Sequence, residues 1–273
     1  MDKRTDKVVD SATKPTSLHW EVNGQGMDLV LLHGWGMNGA VWHQTAQVLK
    51  QHFRVHVVDL PGYGHSAEAP SETLEEMAEL VLQQAPKSAI WVGWSLGGLL
   101  ATHIAHSHAK YVSGLVTVAS SPKFAAERPW RGIQPKVLKD FTHQLVDNFQ
   151  LTVERFMALQ AMGSPSARQD VKNLKQAVFS RPSPNQSALL AGLKMLDQVD
   201  LRPQLSEISA PILRLYGRLD GLVPVKVASD VNEAIPHSQH FVFSQSSHAP
   251  FMTEPELFCQ QIVTFGLQTV KNQ

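Results

Sequence analysis

The pentapeptide Gly-Trp-Ser-Leu-Gly at 93–97 has the residue types and spacing that hold a serine nucleophile on a sharp turn. An apolar run at 89–92 precedes it and a helical pattern at 99–108 follows, so the setting is strand, turn and helix. The turn strains the serine backbone, and the flanking glycines leave room for it. Because the first N–H groups of the helix point toward developing negative charge, the pattern predicts acyl-transfer chemistry at Ser95. An incidental serine in a glycine-rich turn is the alternative.

A serine hydroxyl is a weak nucleophile until a base accepts its proton and a third group orients that base. In this kind of site the acid and the base follow the serine in chain order, each on a loop after a late strand. Asp220 fits the acid because it follows the apolar strand pattern at 212–216, although an ordinary turn aspartate is the alternative. His248 fits the base because, among 13 histidines, it is the one that follows the last strand pattern, at 240–243.

Two backbone N–H groups are predicted to stabilise the oxyanion, that of Leu96 directly after the nucleophile and that of Trp35. Trp35 follows the apolar run at 29–32 in a loop with two glycines, which let the backbone come close to a substrate. The Trp35 indole is also expected to line the acyl site, with simple packing as the alternative. His33 is interpreted as a structural hydrogen-bonding residue. Since no histidine–carboxylate cluster has metal-ligand spacing, neither a metal nor a cofactor is predicted.

These residues need elements that bring them to one edge of a sheet. Strand patterns at 17–21, 29–32, 55–59, 89–92 and 115–119 alternate with helical patterns, which indicates a mainly parallel sheet with right-handed crossovers. The alternation stops after residue 122, and the next stretch shows only helical patterns, at 135–148, 151–162, 166–179 and 187–195. Strand and helix then alternate again to the end. The fold class predicted is α/β, with helices on both faces of the sheet, a core at 17–122 and 196–273, and a helical lid at 123–195.

The 273 residues suffice for one large α/β domain with an insertion. Lys plus Arg equals Asp plus Glu, 24 each, so the net charge favours neither a nucleic-acid nor a membrane partner. Residues 1–16 are polar and charged, and are interpreted as a disordered extension rather than a signal peptide. No apolar stretch approaches the ~20 residues of a membrane span, and Cys259 is the single cysteine, so a cytoplasmic location is predicted. A monomer is expected because nothing in the sequence suggests a larger assembly.

Several longer segments, from about Trp20 to the C-terminus, resemble the α/β-hydrolase superfamily and, more closely, the BioH family of biotin-pathway esterases. The resemblance is carried by residues 31–36 (LLHGWG), 59–66 (DLPGYGHS), 83–86 (QQAP), 90–99 (IWVGWSLGGL), 116–122 (VTVASSP), 153–160 (VERFMALQ) and 213–224 (LRLYGRLDGLVP), with His248. Residues 1–16 have no counterpart in it. Members of that family cleave the methyl ester of pimeloyl-acyl carrier protein. The resemblance therefore implies a serine carboxylesterase that acts on a carrier-bound ester.

The charge of the lid agrees with an acyl carrier protein as partner. Residues 123–194 hold 11 Lys or Arg against 5 Asp or Glu, in a chain whose net charge is zero. A basic surface attracts an acidic carrier protein and raises its association rate. The predicted docking residues are Arg155, Arg168, Lys172 and Lys175, the last three in one stripe of a helix. A solvated helix face is the alternative.

The lid is also predicted to contribute to the substrate site, beside Trp35, Ser95, Leu96 and His248. Its candidate residues are Phe156, Met157, Leu159 and Gln160, for which ordinary lid packing is the alternative. Two other functions stay open. One is a broad short-chain carboxylesterase or a carbon–carbon bond hydrolase with the same three residues, and the other is a non-catalytic ligand-binding protein of this fold.

Overall fold

The computed structural model describes residues 17–271, so the predicted disordered extension at 1–16 lies outside the described residues. Seven strands form one sheet in the order β1-β3-β2-β4-β5-β6-β7, in which β1 runs antiparallel to β3 and every other neighbouring pair is parallel. The strands are β1 Trp20–Asn23, β2 Asp28–Leu32, β3 Arg54–Val58, β4 Ala89–Trp94, β5 Val112–Val118, β6 Ile212–Gly217 and β7 Gln239–Phe243. The predicted α/β class is confirmed.

Helices cover the sheet on both faces. Of the core helices, α1 packs against α10 and α2 packs against α3. All six residues of β4 are buried, as expected for a parallel strand with helices on either side of the sheet. The core helices are α1 His43–Leu49, α2 Leu74–Leu82, α3 Leu96–Ser107, α8 Val227–Ala234, α9 Pro250–Thr253 and α10 Pro255–Lys271. Within residues 17–271, no helix combines the length and the apolar character needed to cross a membrane.

Four helices separate β5 from β6 and occupy the segment predicted as a lid. They are α4 Pro135–Asp147, α5 Phe149–Ala161, α6 Ala167–Val178 and α7 Gln186–Gln198. Helix α4 buries one stripe of its surface, Leu138, Phe141 and Leu145, whereas α7 is buried over more than half of its residues. We use "lid" for residues 123–195 as predicted, although α7 continues through the boundary at 195 without interruption.

Local boundaries differ from the sequence patterns where a tertiary contact or a cap intervenes. One of the helical patterns that alternate with the strands covers residues 41–49, and the structure divides it into a 3-10 turn, Gly39–Trp42, and α1. The turn begins two residues before the apolar pattern because the Asn38 side chain caps the N–H of Ala40. Strand β1 begins at Trp20, three residues later than predicted, since its antiparallel pairing with β3 starts there.

The sheet places the predicted catalytic residues and the loop of the predicted oxyanion donor Trp35 at one of its edges. The loop at 33–36 follows β2, Ser95 follows β4, Asp220 lies three residues after β6, and His248 lies five residues after β7. All four strands are parallel, so their carboxyl ends lie at the same edge, where ligands bind in open α/β sheets. The lid follows the carboxyl end of β5 at that edge, and residues 196–211 then lead to the amino end of β6 at the opposite edge.

Candidate active site

Ser95 lies on a strained turn between β4 and α3. Its φ is 55° and its ψ is −118°, and within the described chain only Ala119 shares a positive φ among non-glycine residues. The Ser95 N–H donates to the carbonyl of Val118 at 2.9 Å, and its carbonyl accepts from the Ser120 hydroxyl at 2.8 Å. These hydrogen bonds to β5 and to the loop after it stabilise a strained backbone conformation, which serine would not keep without them.

Gly93 and Gly97 lie so close to other backbone atoms that neither position has room for a side chain. A Cβ on Gly97 would lie 2.6 Å from the carbonyl oxygens of Leu32 and His33, at the end of β2. A Cβ on Gly93 would overlap the backbone of Gly97 itself. The turn can therefore press against the end of β2 only with glycine at both positions.

His248 and Asp220 form a buried pair beside this turn. The Nδ1 of His248 donates to Oδ2 of Asp220 at 2.7 Å, and both side chains are 1% exposed. Asp220 Oδ1 accepts from the backbone N–H groups of Leu222 at 2.8 Å and Val223 at 3.0 Å. Because the carboxylate accepts at Nδ1, the lone pair of the neutral imidazole is at Nε2. That nitrogen is buried and has no hydrogen-bond partner among residues 17–271.

The main chain of His248 is bound from two sides. Its carbonyl accepts from the indole N–H of Trp94 at 2.7 Å, and its N–H donates to the carbonyl of Gln160 at 3.0 Å. Trp94 is the residue before Ser95, and the Trp94 and His248 rings have centroids 6.0 Å apart. Asp220 and His248 are thus bonded to each other, and Ser95, which is 2% exposed, adjoins them through Trp94, while no hydrogen bond within the described chain joins the Ser95 hydroxyl to Nε2 of His248.

The loop at 33–36 passes against the serine. A Cβ on Gly34 would lie 3.2 Å from the Ser95 Cβ. His33 fixes this loop, since its Nε2 accepts from the Leu60 N–H at 3.0 Å and its Nδ1 donates to the Gly34 carbonyl at 2.9 Å. Burial disfavours the imidazolium and lowers the pKa of His33 to about 4. A neutral histidine with both nitrogens engaged supports the structural interpretation of His33.

Of the two predicted oxyanion donors, Leu96 follows Ser95 in the chain, and Trp35 follows Gly34, the residue whose backbone lies against Ser95. Leu96 is the first residue of α3, so its N–H has no partner within the helix. Trp35 is fully buried; its indole N–H donates to the Leu189 carbonyl at 2.8 Å, and its ring meets Phe156 edge to face at 4.8 Å. The Trp35 side chain therefore joins the core loop to lid helices α5 and α7.

The four predicted substrate-binding residues of α5 differ in how far they are exposed to solvent. Phe156, Met157 and Gln160 are buried, and Leu159 is half-buried. Phe156 packs between Trp35 and Phe141. The side-chain Oε1 of Gln160 is buried without a hydrogen-bond partner in the described part of the chain, which leaves it free to accept from a bound molecule.

The predicted docking residues do not form one uniform stripe. Arg168 and Lys172 are exposed on α6, and Arg155 is exposed on α5, where it donates to the Gln144 side chain at 2.9 Å. Lys175, in contrast, forms an ion pair with Glu154 at 2.6 Å that links α5 to α6. The positive charge of Lys175 is therefore largely compensated within the lid.

Local sequence patterns indicate no role for the buried Asp59 or for the partly buried Arg181. Asp59 follows β3, is fully buried, and accepts from the N–H groups of Gly39 and His65 at 2.6 and 2.8 Å. Arg181, between α6 and α7, donates to Asp59 at 2.8 Å and to Glu21 at 2.5 Å. The one sequence signal that could have identified Asp59 is its position directly after a buried strand. Nothing local distinguishes Arg181 from a surface arginine.

No group of three or more histidine, cysteine, aspartate or glutamate side chains within residues 17–271 is arranged to hold a metal ion. The family model for the alpha/beta hydrolase fold matches residues 29–255, and the chain belongs to that family.

Similar proteins narrow the class further. A pimeloyl-[acyl-carrier protein] methyl ester esterase of Vibrio cholerae is 72% identical to the chain over 250 residues, which cover 92% of this chain and 98% of that protein. A protein of the same name from Vibrio vulnificus is 70% identical over 251 residues, with the same coverage. The structure of an esterase from Exiguobacterium antarcticum has a TM-score of 0.81 at 24% identity, covering 91% of this chain and 94% of that chain, and supports the fold.

Proposed function

We propose that this protein hydrolyses the methyl ester of pimeloyl-acyl carrier protein, releasing methanol and pimeloyl-acyl carrier protein, in biotin biosynthesis. The observation that carries the reaction class is the buried Asp220–His248 pair, with an unpaired Nε2, beside a serine held at positive φ. The substrate is inferred from the names of relatives that match nearly their whole length at about 70% identity.

In the proposed mechanism the Ser95 hydroxyl attacks the ester carbonyl while His248 Nε2 accepts its proton. Asp220 holds the imidazole in the required tautomer and stabilises the imidazolium. The N–H groups of Trp35 and Leu96 donate to the oxyanion. The tetrahedral intermediate collapses, the C–O bond to the methoxy group breaks, and the imidazolium protonates the departing methoxide oxygen, so that methanol leaves. His248 then takes a proton from water, which attacks the acyl-serine and frees the acid and Ser95.

The lid supplies the proposed contacts to the rest of the substrate. Trp35, Phe156, Met157 and Leu159 form an apolar wall for the acyl chain, and Gln160 offers an acceptor there. The exposed cations of Arg155, Arg168 and Lys172 attract the acidic carrier protein, and the attraction weakens with salt. Lys175 contributes less because Glu154 compensates its charge.

The test compares turnover of pimeloyl-acyl carrier protein methyl ester with turnover of a free short-chain ester, with S95A as the blank. We expect efficient, salt-sensitive cleavage of the carrier-bound ester and no turnover by S95A. Near-normal turnover by S95A would exclude the proposed nucleophile. Cleavage of the free ester alone would keep the reaction class and make the protein a general carboxylesterase.

Docking is tested with the double variant R168A/K172A. We expect a higher KM for the carrier-bound ester and unchanged kinetics with the free ester, because both cations are exposed on α6 and neither is assigned a part in bond cleavage. The matched control is K50A/K87A, which removes two exposed lysines from the core surface. An equal effect from both pairs would show that only the net charge of the protein affects KM.

The cytoplasmic location and the monomeric state are further predictions, and gel filtration tests the monomeric state.

A further inference from the structure

The segment that carries His248 is bound to the lid at a second point. Asp170, in the first turn of α6, is 4% exposed, and its Oδ2 accepts from the hydroxyls of Ser164 at 2.8 Å and Ser166 at 2.9 Å, both within the lid. The third hydroxyl donor, Thr253 at 3.2 Å, belongs to the core. No cation pairs with Asp170 among residues 17–271, so these hydroxyls are its side-chain partners.

Thr253 is coupled to the catalytic segment through one helical turn. It is the last residue of α9, which begins two residues after His248. Its backbone N–H donates to the carbonyl of Ala249 at 3.3 Å, the residue next to His248. A displacement of Thr253 is therefore transmitted to His248 through a short, hydrogen-bonded segment.

Both lid contacts thus end on the same six-residue stretch of the core, residues 248–253. The Gln160 carbonyl binds the N–H of His248, and the Asp170 carboxylate binds the hydroxyl of Thr253. With Ser95 at 2% and His248 at 0% exposure, an ester reaches the serine only when the lid moves. Such a movement stretches or breaks these two bonds.

We propose that Asp170 is a positioning residue, which through Thr253 holds the catalytic histidine in place when the lid is closed. The inference rests on the proposed roles of Ser95 and His248. Lid opening then loosens His248 and admits the substrate, and lid closure restores the arrangement in which Nε2 can accept the serine proton.

The experiment uses the full chain and a small free ester such as 4-nitrophenyl butyrate, so carrier docking plays no part. T253V removes the hydroxyl and keeps the side-chain shape, and D170N removes the carboxylate charge. We expect each variant to lower kcat about tenfold, as for loss of a hydrogen bond to a charged group, with KM changed less than twofold. T253S retains the hydroxyl and should restore kcat.

Two further variants separate positioning from general stability. S166A removes one donor to Asp170 that lies within the lid and leaves the Thr253 bond, so its kcat should stay near that of the unmodified protein. The double variant D170N/T253V should lose no more activity than T253V alone, because the hydrogen bond that D170N weakens is already absent in T253V. Thermal unfolding checks that every variant is folded.

Folded D170N and T253V with unchanged kcat would overturn the inference, as would an equal loss in S166A. S95A distinguishes this failure from failure of the proposed function. If S95A still cleaves the ester, the catalytic roles are wrong. If S95A is inactive while T253V is fully active, those roles stand and only the positioning role of Asp170 is refuted.

Discussion

Replacing Asp220 with asparagine should inactivate the protein without unfolding it. The two oxygens of Asp220 have different partners: Oδ1 accepts from the N–H groups of Leu222 and Val223, and Oδ2 accepts from His248. In D220N the amide oxygen is needed by the two backbone N–H groups, so the amide NH₂ must face Nδ1 of His248. An NH₂ group donates, and the imidazole then carries its proton on Nε2. That nitrogen can no longer accept the proton of Ser95.

The expected size of the effect follows from this tautomer change. A histidine in the wrong tautomer lowers kcat by about 10⁴-fold in serine hydrolases, which corresponds to roughly 5.5 kcal/mol in the activation free energy. Stability should change little, because the asparagine keeps both backbone hydrogen bonds and the volume of the aspartate. Large loss of activity with a nearly constant melting temperature is the signature expected.

The assay measures kcat with a small free ester and the melting temperature in parallel. D220A serves as a control, since it leaves the N–H groups of Leu222 and Val223 without their acceptor and should lose stability as well as activity. A folded D220N with less than a tenfold loss in kcat would refute the reasoning, because another group would then orient His248.

Three further predictions concern buried groups of the core. Because burial lowers the pKa of His33 from 6.5 to about 4, the folded protein keeps it neutral while the unfolded chain binds a proton. The free energy of unfolding should therefore fall by up to about 3 kcal/mol as the pH falls from 6.5 to 4, and urea titrations should show a shallower decline in H33Q. Burial raises the pKa of Cys259 to about 11, so a thiol reagent at pH 8 should label it in urea and leave the native protein unlabelled. R181M leaves Asp59 buried without its cation and should cost about 3 kcal/mol in urea unfolding, whereas K175M, at an exposed pair, should cost less than about 1 kcal/mol.

The sequence alone determined the features that depend on local spacing and chain order. The glycines at 93 and 97 predicted a serine on a strained turn, and Ser95 has a positive φ in the structure. Apolar runs predicted the buried parallel strands, and helical patterns located the four lid helices to within a few residues. The acid and base candidates could be selected because chain order in this topology places them after late strands.

Contacts between distant segments were decided only by the tertiary structure. Asp59 and Arg181 are 122 residues apart, and Asp170 and Thr253 are 83 residues apart. Charged and hydroxyl residues of these types are equally common on solvated surfaces, so their local sequence does not reveal which of them are buried. The same holds for Lys175, which fits a basic stripe by its spacing and is compensated by Glu154 on the neighbouring helix.

His248 shows most clearly which features the sequence determines and which depend on the tertiary structure. Its place after the last strand could be read from the chain, and that was sufficient to name it as the base. Its main chain, however, is held between Trp94 of the core and Gln160 of the lid. Spacing within a segment determines which residues are suited to catalysis. The alignment of these residues depends on how segments that are distant in the sequence pack together, because hydrogen bonds between two segments form only after both have folded.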